Sequence, residues 1–283
     1  MSQAILISVI SGLIFLGIAV TFIRHQSLKT KKEISDGLTA IVEVRDLVVQ
    51  VQRHRGWSAA LANGDVQVNR KIIELKQKIK NLNSELEKRY TLYSYDRWQA
   101  YIEHWQRLSF NSFSLSANDN FKQHTQLVGC MLYLLEDIAH HYGLTEELAE
   151  KSHTDKMMWR DLLHLSEFVG QARALGTGMT TLHTANRIER NKLIYLRHQI
   201  TELAEEVYQR LAERGLNEEQ SAVVANASKH TRYLCSAMEH ELIEASEIMM
   251  DRDTYFKLAT ETIKAINDIF DNELKRIRSH FID

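Results

Sequence analysis

The chain has no proline in 283 residues, where ordinary usage of about 5% predicts roughly 14. Proline breaks helices because its ring lacks the backbone donor and clashes with the preceding turn. A chain without it reads as long helices ended by Gly and Asn, which gives an all-α fold class. The first such segment is Ala4 to Ile23, 20 consecutive positions without a charge. At about 1.5 Å per residue it is long enough to cross a hydrocarbon core of roughly 30 Å. The expectation is a single transmembrane helix, residues 4–23. A cleaved signal peptide is the rival reading, but no Lys or Arg precedes the apolar run and no small-x-small site closes it. Arg24, His25, Lys29, Lys31 and Lys32 follow at once. By the positive-inside tendency they keep residues 24–283 on the cytoplasmic side of the inner membrane, with the N-terminus outside. The same cluster suits anionic headgroups, although a topology signal alone explains it.

The remainder divides into eight helical segments. The first, Leu28 to Ala62, stops at Asn63-Gly64-Asp65, a helix stop followed by a new cap. Lys71 to Tyr90 repeats Ile72, Leu75, Ile79, Leu82 and Leu86 at helical spacing, and its charges read as a solvated face. Trp98 and Trp105 mark a third core side, and Ser116-Ala117-Asn118-Asp119 makes a loop and cap. A fourth helix carries Phe121, His124, Val128, Met131, Leu135 and Ile138 and ends near Gly143, with His124 expected as a hydrogen-bonded core histidine. The fifth should start after Thr145-Glu146-Glu147 and be closed or loosened by Gly176 and Gly178. A sixth spans Asn186 to Arg214, Asn217 to Gln220 reads as a capping box for the seventh, and the eighth runs from Thr254 to Phe281. The expected organisation is an anchor and basic flank over 1–27, a four-helix bundle over 28–143 and a second over 144–283, related by an apparent duplication.

Two arginines break the pattern. Ile41, Val44, Val48, Val51, Arg55, Ala59 and Ala62 fall within about 40° of one line along a helix, so Arg55 lies on an apolar stripe with no carboxylate of its own. Trp159, Leu162, Ser166, Val169, Thr177 and Thr180 stand at the same offsets from Arg173, 118 residues later. Burying a guanidinium without a partner costs several kcal/mol. If the two helices face each other, two forks of N–H donors converge on a space suited to a small planar anion. Gly56 and Gly176 admit close backbone approach, and Ser58, Thr177 and Thr180 offer hydroxyl donors. The competing reading is an internal salt bridge, with Glu136 or Glu239 as the facing acid.

Other chemistry finds little support. The 35 Lys and Arg balance 37 Asp and Glu, so no overall field points to nucleic acid. Cys130 and Cys235 are 105 residues apart and read as buried free thiols rather than a disulfide or metal pair. Glu150-Lys151-Ser152-His153 and Asp161-x-x-His164 imitate a di-metal motif that needs two separate helices and further carboxylates. His240-Glu241-Leu242-Ile243-Glu244 has Glu where a zinc-protease helix needs its second His. His140-His141 suits a helix C-terminus. No phosphate loop or dinucleotide fingerprint is present, and the chain is not expected to be an enzyme or to need a cofactor.

The stretch LVVQVQRHRGWSAAL resembles the first-helix motif of the nitrate- and nitrite-sensing helical domain family, Leu-Val-x-x-Leu-Gln-x-x-Arg-Gly-x-Ser. GQARALGTGM resembles the family's second-half motif, and YFKLATETIKAINDIF its last helix, so the likeness spans roughly residues 35 to 280. Many relatives carry an acid just before the first motif arginine, where this chain has His54. The resemblance implies a ligand between two helical bundles held by an arginine from each half, carried over to Arg55 and Arg173. Gly56, Ser58, Gly176 and Thr177 are then expected to complete a site for nitrate or nitrite. Relatives usually carry an output module. Here residues 217–283 are needed as the last two helices, so the signal is expected to pass to an unidentified downstream protein or through a homodimer. The alternative class is a membrane-tethered helical scaffold without a small ligand, favoured if an acid of the protein's own lies within reach of both guanidinium groups, and either arginine locked onto such an acid counts against sensing.

Overall fold

The computed structural model describes the backbone of residues 2–144 and 158–281, and the side chains within these ranges apart from 2–14, 17–18, 27 and 280–281. Among the described residues there are eight α-helices and no strand. The expected fifth-helix cap, Thr145 to Glu147, and the Glu150 to His153 motif lie outside them.

Helix α1 is one continuous helix, Ser2–Ala62. The apolar span over 4–23 and the helix expected from Leu28 are thus parts of one element. Nothing between Ile23 and Leu28 is a helix breaker, so the helix runs through. Phe15, Leu16, Val20, Phe22 and Ile23 stand exposed on it. Among the described residues no helix is long and apolar enough to cross a membrane; the side chains of 4–14 and 17–18 of the predicted span are not among them.

Helix α1 ends at Gly64, whose φ of +97° is one that side chains resist. Asp65 then accepts from the Gln67 N–H to open a single 3-10 turn, Val66–Val68, which leads into α2, Asn69–Arg89. Helix α3 is Asp96–Asn111. Helix α4, Ala117–His141, is capped by the Ser116 hydroxyl as its sequence predicts. Helix α5, Met158–Leu182, passes straight through Gly176 and Gly178 and stops only at His183, at φ 51°. The two glycines therefore do not close it. Helices α6, Arg187–Glu213, and α7, Glu218–Ala237, each open on an Asn capping box. Helix α7 widens into a π-turn over Met238–Ile243, and Arg190 Nη1 donates to the carbonyls of Leu242 and Ile243 there, both at 2.7 Å. Helix α8 is Arg252–Phe281.

Helix α1 packs on α2 and α4, and α3 on α4; α5 packs on α6 and α8, and α7 on both of these. Between the two groups α1 touches α5 and α8, and α4 touches α5. The stripe Ile34, Leu38, Ile41, Val44, Val48 and Val51 is fully buried, as are Trp98 and Tyr101 of α3 and Ile266 and Phe270 of α8. Each such side chain contributes about 1.5–3 kcal/mol on leaving water. Cys130 and Cys235 are free and half-buried.

Candidate anion-binding site

Arg55 continues the buried stripe of α1 at 1% exposure. Its charge is met by Glu167 of α5, itself 4% exposed. Nη1 donates to Oε1 at 2.6 Å and Nη2 to Oε2 at 3.1 Å, a forked pair. The acid is thus neither Glu136, which lies near Arg160 and His164, nor Glu239, which pairs with Arg197. Two amides hold the carboxylate as well: Gln52 Nε2 donates to Oε2 at 2.8 Å and Gln171 Nε2 to Oε1 at 3.0 Å. Gly170 makes room for the fork, since a Cβ there would lie 3.0 Å from Arg55 Nη2. Glu167 stands three residues before the GQARALGTGM stretch, and six residues before Arg173 it is about 120° round the helix. A search confined to the arginine stripes passes over it. The demand that a buried guanidinium be neutralised was the signal that could have found it.

Arg173 is half-buried and turned toward α8. Its Nη1 donates to Thr260 Oγ1 at 3.1 Å, and the guanidinium lies 5.2 Å from the centre of the Phe256 ring. Among the described residues it makes no salt bridge. Burial pushes its pKa down to about 10, and repulsion by Arg55 and Arg53 adds to this while Glu167 offsets part of it. The two motif arginines therefore share one electrostatic neighbourhood, although they leave their helices toward different neighbours.

The remaining predicted site residues divide. Thr177 Oγ1, one turn after Arg173, is buried and makes no hydrogen bond among the described residues. Thr180 donates to the carbonyls of Gly176 and Thr177, both at 3.0 Å. Gly176 receives the Tyr255 ring, since a Cβ there would fall 2.3 Å from it, and Tyr255 donates to the Ala172 carbonyl at 3.0 Å. The close approach at Gly176 is thus made by the protein's own tyrosine. Ser58 lies 3.3 Å from His54 Nδ1, within a buried cluster with His124, and a Cβ on Gly56 would meet nothing within 4 Å.

Among the described residues the seam between α1 and α5 thus holds one guanidinium paired to a buried carboxylate and, in the same electrostatic neighbourhood, a second arginine that makes no salt bridge. A family model described as nitrate and nitrite sensing matches residues 46–278, and the chain belongs to that family of sensor domains. Neither the curated proteins nor the solved structures give a significant match.

Proposed function

We propose that this chain is a membrane-anchored sensor module that binds nitrate or nitrite at the seam between two four-helix bundles, residues 28–143 and 144–283. Arg173 supplies the principal charge, Arg55 the second fork, and Thr177 and Thr260 hydroxyl donors. The observation that carries this is Arg173 itself: a half-buried cation whose described partners are a hydroxyl and an aromatic face, beside a second guanidinium that repels it. A weakly hydrated monovalent anion relieves both. The apolar run over 4–23, with Phe15, Val20 and Phe22 exposed on the same helix, supports anchoring in the inner membrane, and the basic flank supports a cytoplasmic body. Output passes to a partner protein or across a homodimer.

Titration calorimetry on the full-length chain in lipid nanodiscs tests the site. Nitrate or nitrite should bind and sulfate should not. Arg173→Ala should remove the heat of binding, and Arg173→Lys should retain a weakened fraction, because an ammonium keeps the charge and loses the fork. Wild-type affinity in the alanine variant overturns the assignment. The Arg55–Glu167 bridge favours a second reading, the tethered scaffold with no small ligand, under which no anion alters the thermal midpoint.

A further inference from the structure

Resting on that binding reading, we infer that Glu167 is an internal competitor for the anion: its carboxylate is seated on Arg55, and the ligand must displace it. A carboxylate presents two oxygens on one planar trigonal centre, the shape of nitrite and of two-thirds of nitrate. It is seated on Arg55 by both oxygens, at 2.6 and 3.1 Å. The seat is built from both motif helices. Gln52 of α1 and Gln171 of α5 each donate to one of its oxygens, and Gly170 leaves the space for Arg55 Nη2. The nearby Arg173 makes no salt bridge with a described carboxylate. Arg55, Arg173 and Glu167 together carry +1, and Arg53 adds to the positive field at Arg173, so the seat favours an anion.

The consequence is a threshold and a switch. Breaking a buried, doubly hydrogen-bonded ion pair opposes binding, so the anion meets Arg55 at a reduced apparent affinity. The pair is a direct polar clasp between α1 and α5. When the anion takes over the fork the clasp opens, and that difference in contacts between the two states is what a signal requires.

The test is calorimetric titration of nitrate and nitrite into full-length wild type and Glu167→Gln, each first shown to unfold cooperatively by circular dichroism. The amide keeps the volume and removes the competing charge. Tenfold or greater tightening of nitrate, together with appearance of sulfate binding, is expected. Binding in the variant alone also supports the inference. If wild type binds nitrate and the variant binds equally or more weakly, Glu167 only props Arg55: the competitor is overturned and the anion site stands. If neither protein binds any anion, both fall. Should Glu167→Gln not fold, Gln171→Leu removes one of the amides holding the carboxylate and leaves Arg55 paired. A two- to fivefold tightening is then expected, and unchanged affinity overturns the inference.

Discussion

His54 and His124 are both wholly buried, and their ring nitrogens, Nδ1 and Nε2, lie 2.7 Å apart. His124 Nδ1 lies 2.8 Å from the Asn120 carbonyl, so it carries the proton and donates there. His124 Nε2 is then the acceptor and His54 Nδ1–H the donor, which leaves His54 Nε2 as a buried lone pair with no described partner. Burial pushes His54 down to about 2, with repulsion from His124 and Lys76 adding to it. Burial likewise pushes His124 down to about 3, opposed by the Asn120 carbonyl and assisted by Arg55 and His104. An unfolded histidine titrates near 6.5. Below that pH the unfolded chain binds protons the folded one refuses, so stability is lost as pH falls from about 6.5 toward 3. For one imidazole the loss from pH 7 to pH 5 is about 2 kcal/mol. Urea midpoints at pH 7, 6 and 5 should therefore fall more steeply for wild type than for the double variant His54→Gln/His124→Gln, and parallel slopes would refute this. At this scale the sequence exposed the anomaly at Arg55 and the core role of His124. The identity of the acid was hidden because it depends on which face of α5 meets α1, a tertiary fact that stripe arithmetic does not contain.

Two helices carry glycines that a motif reading treats alike and packing treats oppositely. In α1 a Cβ on Gly56 has nothing within 4 Å, whereas in α5 a Cβ on Gly176 would lie 2.3 Å from the ring of Tyr255. Alanine in a helix interior is favoured over glycine by roughly 0.5–1 kcal/mol. Gly56→Ala should raise the thermal midpoint by a few degrees; if nitrate affinity then falls, ligand and not packing requires the glycine. Gly176→Ala should destabilise by about 1–3 kcal/mol or more, because the aromatic ring and its bond to the Ala172 carbonyl must move. Equal midpoints for the two variants, read by differential scanning calorimetry, would contradict the packing described. Element ends were largely legible: Ser116, Asn186 and Asn217 cap where their chemistry places them. That Gly176 and Gly178 do not close α5 has the converse cause, since the helix is held by the packing of buried Val169, Ala172 and Met179 on its neighbours, and packing overrides local propensity. Helix α1 likewise runs on through Leu28, because a change from apolar to basic residues alters a helix's surroundings without interrupting its backbone.

Across the whole molecule α1 is the element through which the seam could report. It is polar-tethered to α5 through Gln52 and Arg55 and to α8 through Arg45, which donates to Asp271 at 2.5 Å and lies 4.4 Å from the centre of the Phe270 ring. Lys192 of α6 adds a further link, donating to Asn118 of α4 at 2.9 Å. Exchanging the Glu167 contact for an anion releases the first tether and keeps the others, so α1 should shift or rotate against the second group rather than separate from it. Arg55 is 32 residues beyond Ile23 in the same helix, a distance of about 48 Å at 1.5 Å per residue, and an unbroken helix transmits such a shift along its length. Spin labels at Val42→Cys on α1 and Tyr233→Cys on α7, both exposed positions, would measure it after Cys130 and Cys235 are replaced by serine. Saturating nitrate should change the inter-label distance by roughly 1–2 Å or more, the scale of helix shifts in packed switches. The change should vanish with Arg173→Ala. In Glu167→Gln the distance should start closer to its nitrate-bound value than in wild type, because the amide keeps at most one of the two bonds from Arg55 and none of the charge. A distribution that nitrate leaves unmoved in a wild-type chain shown to bind it would mean that α1 and α5 travel together, and that the signal leaves the seam by another helix.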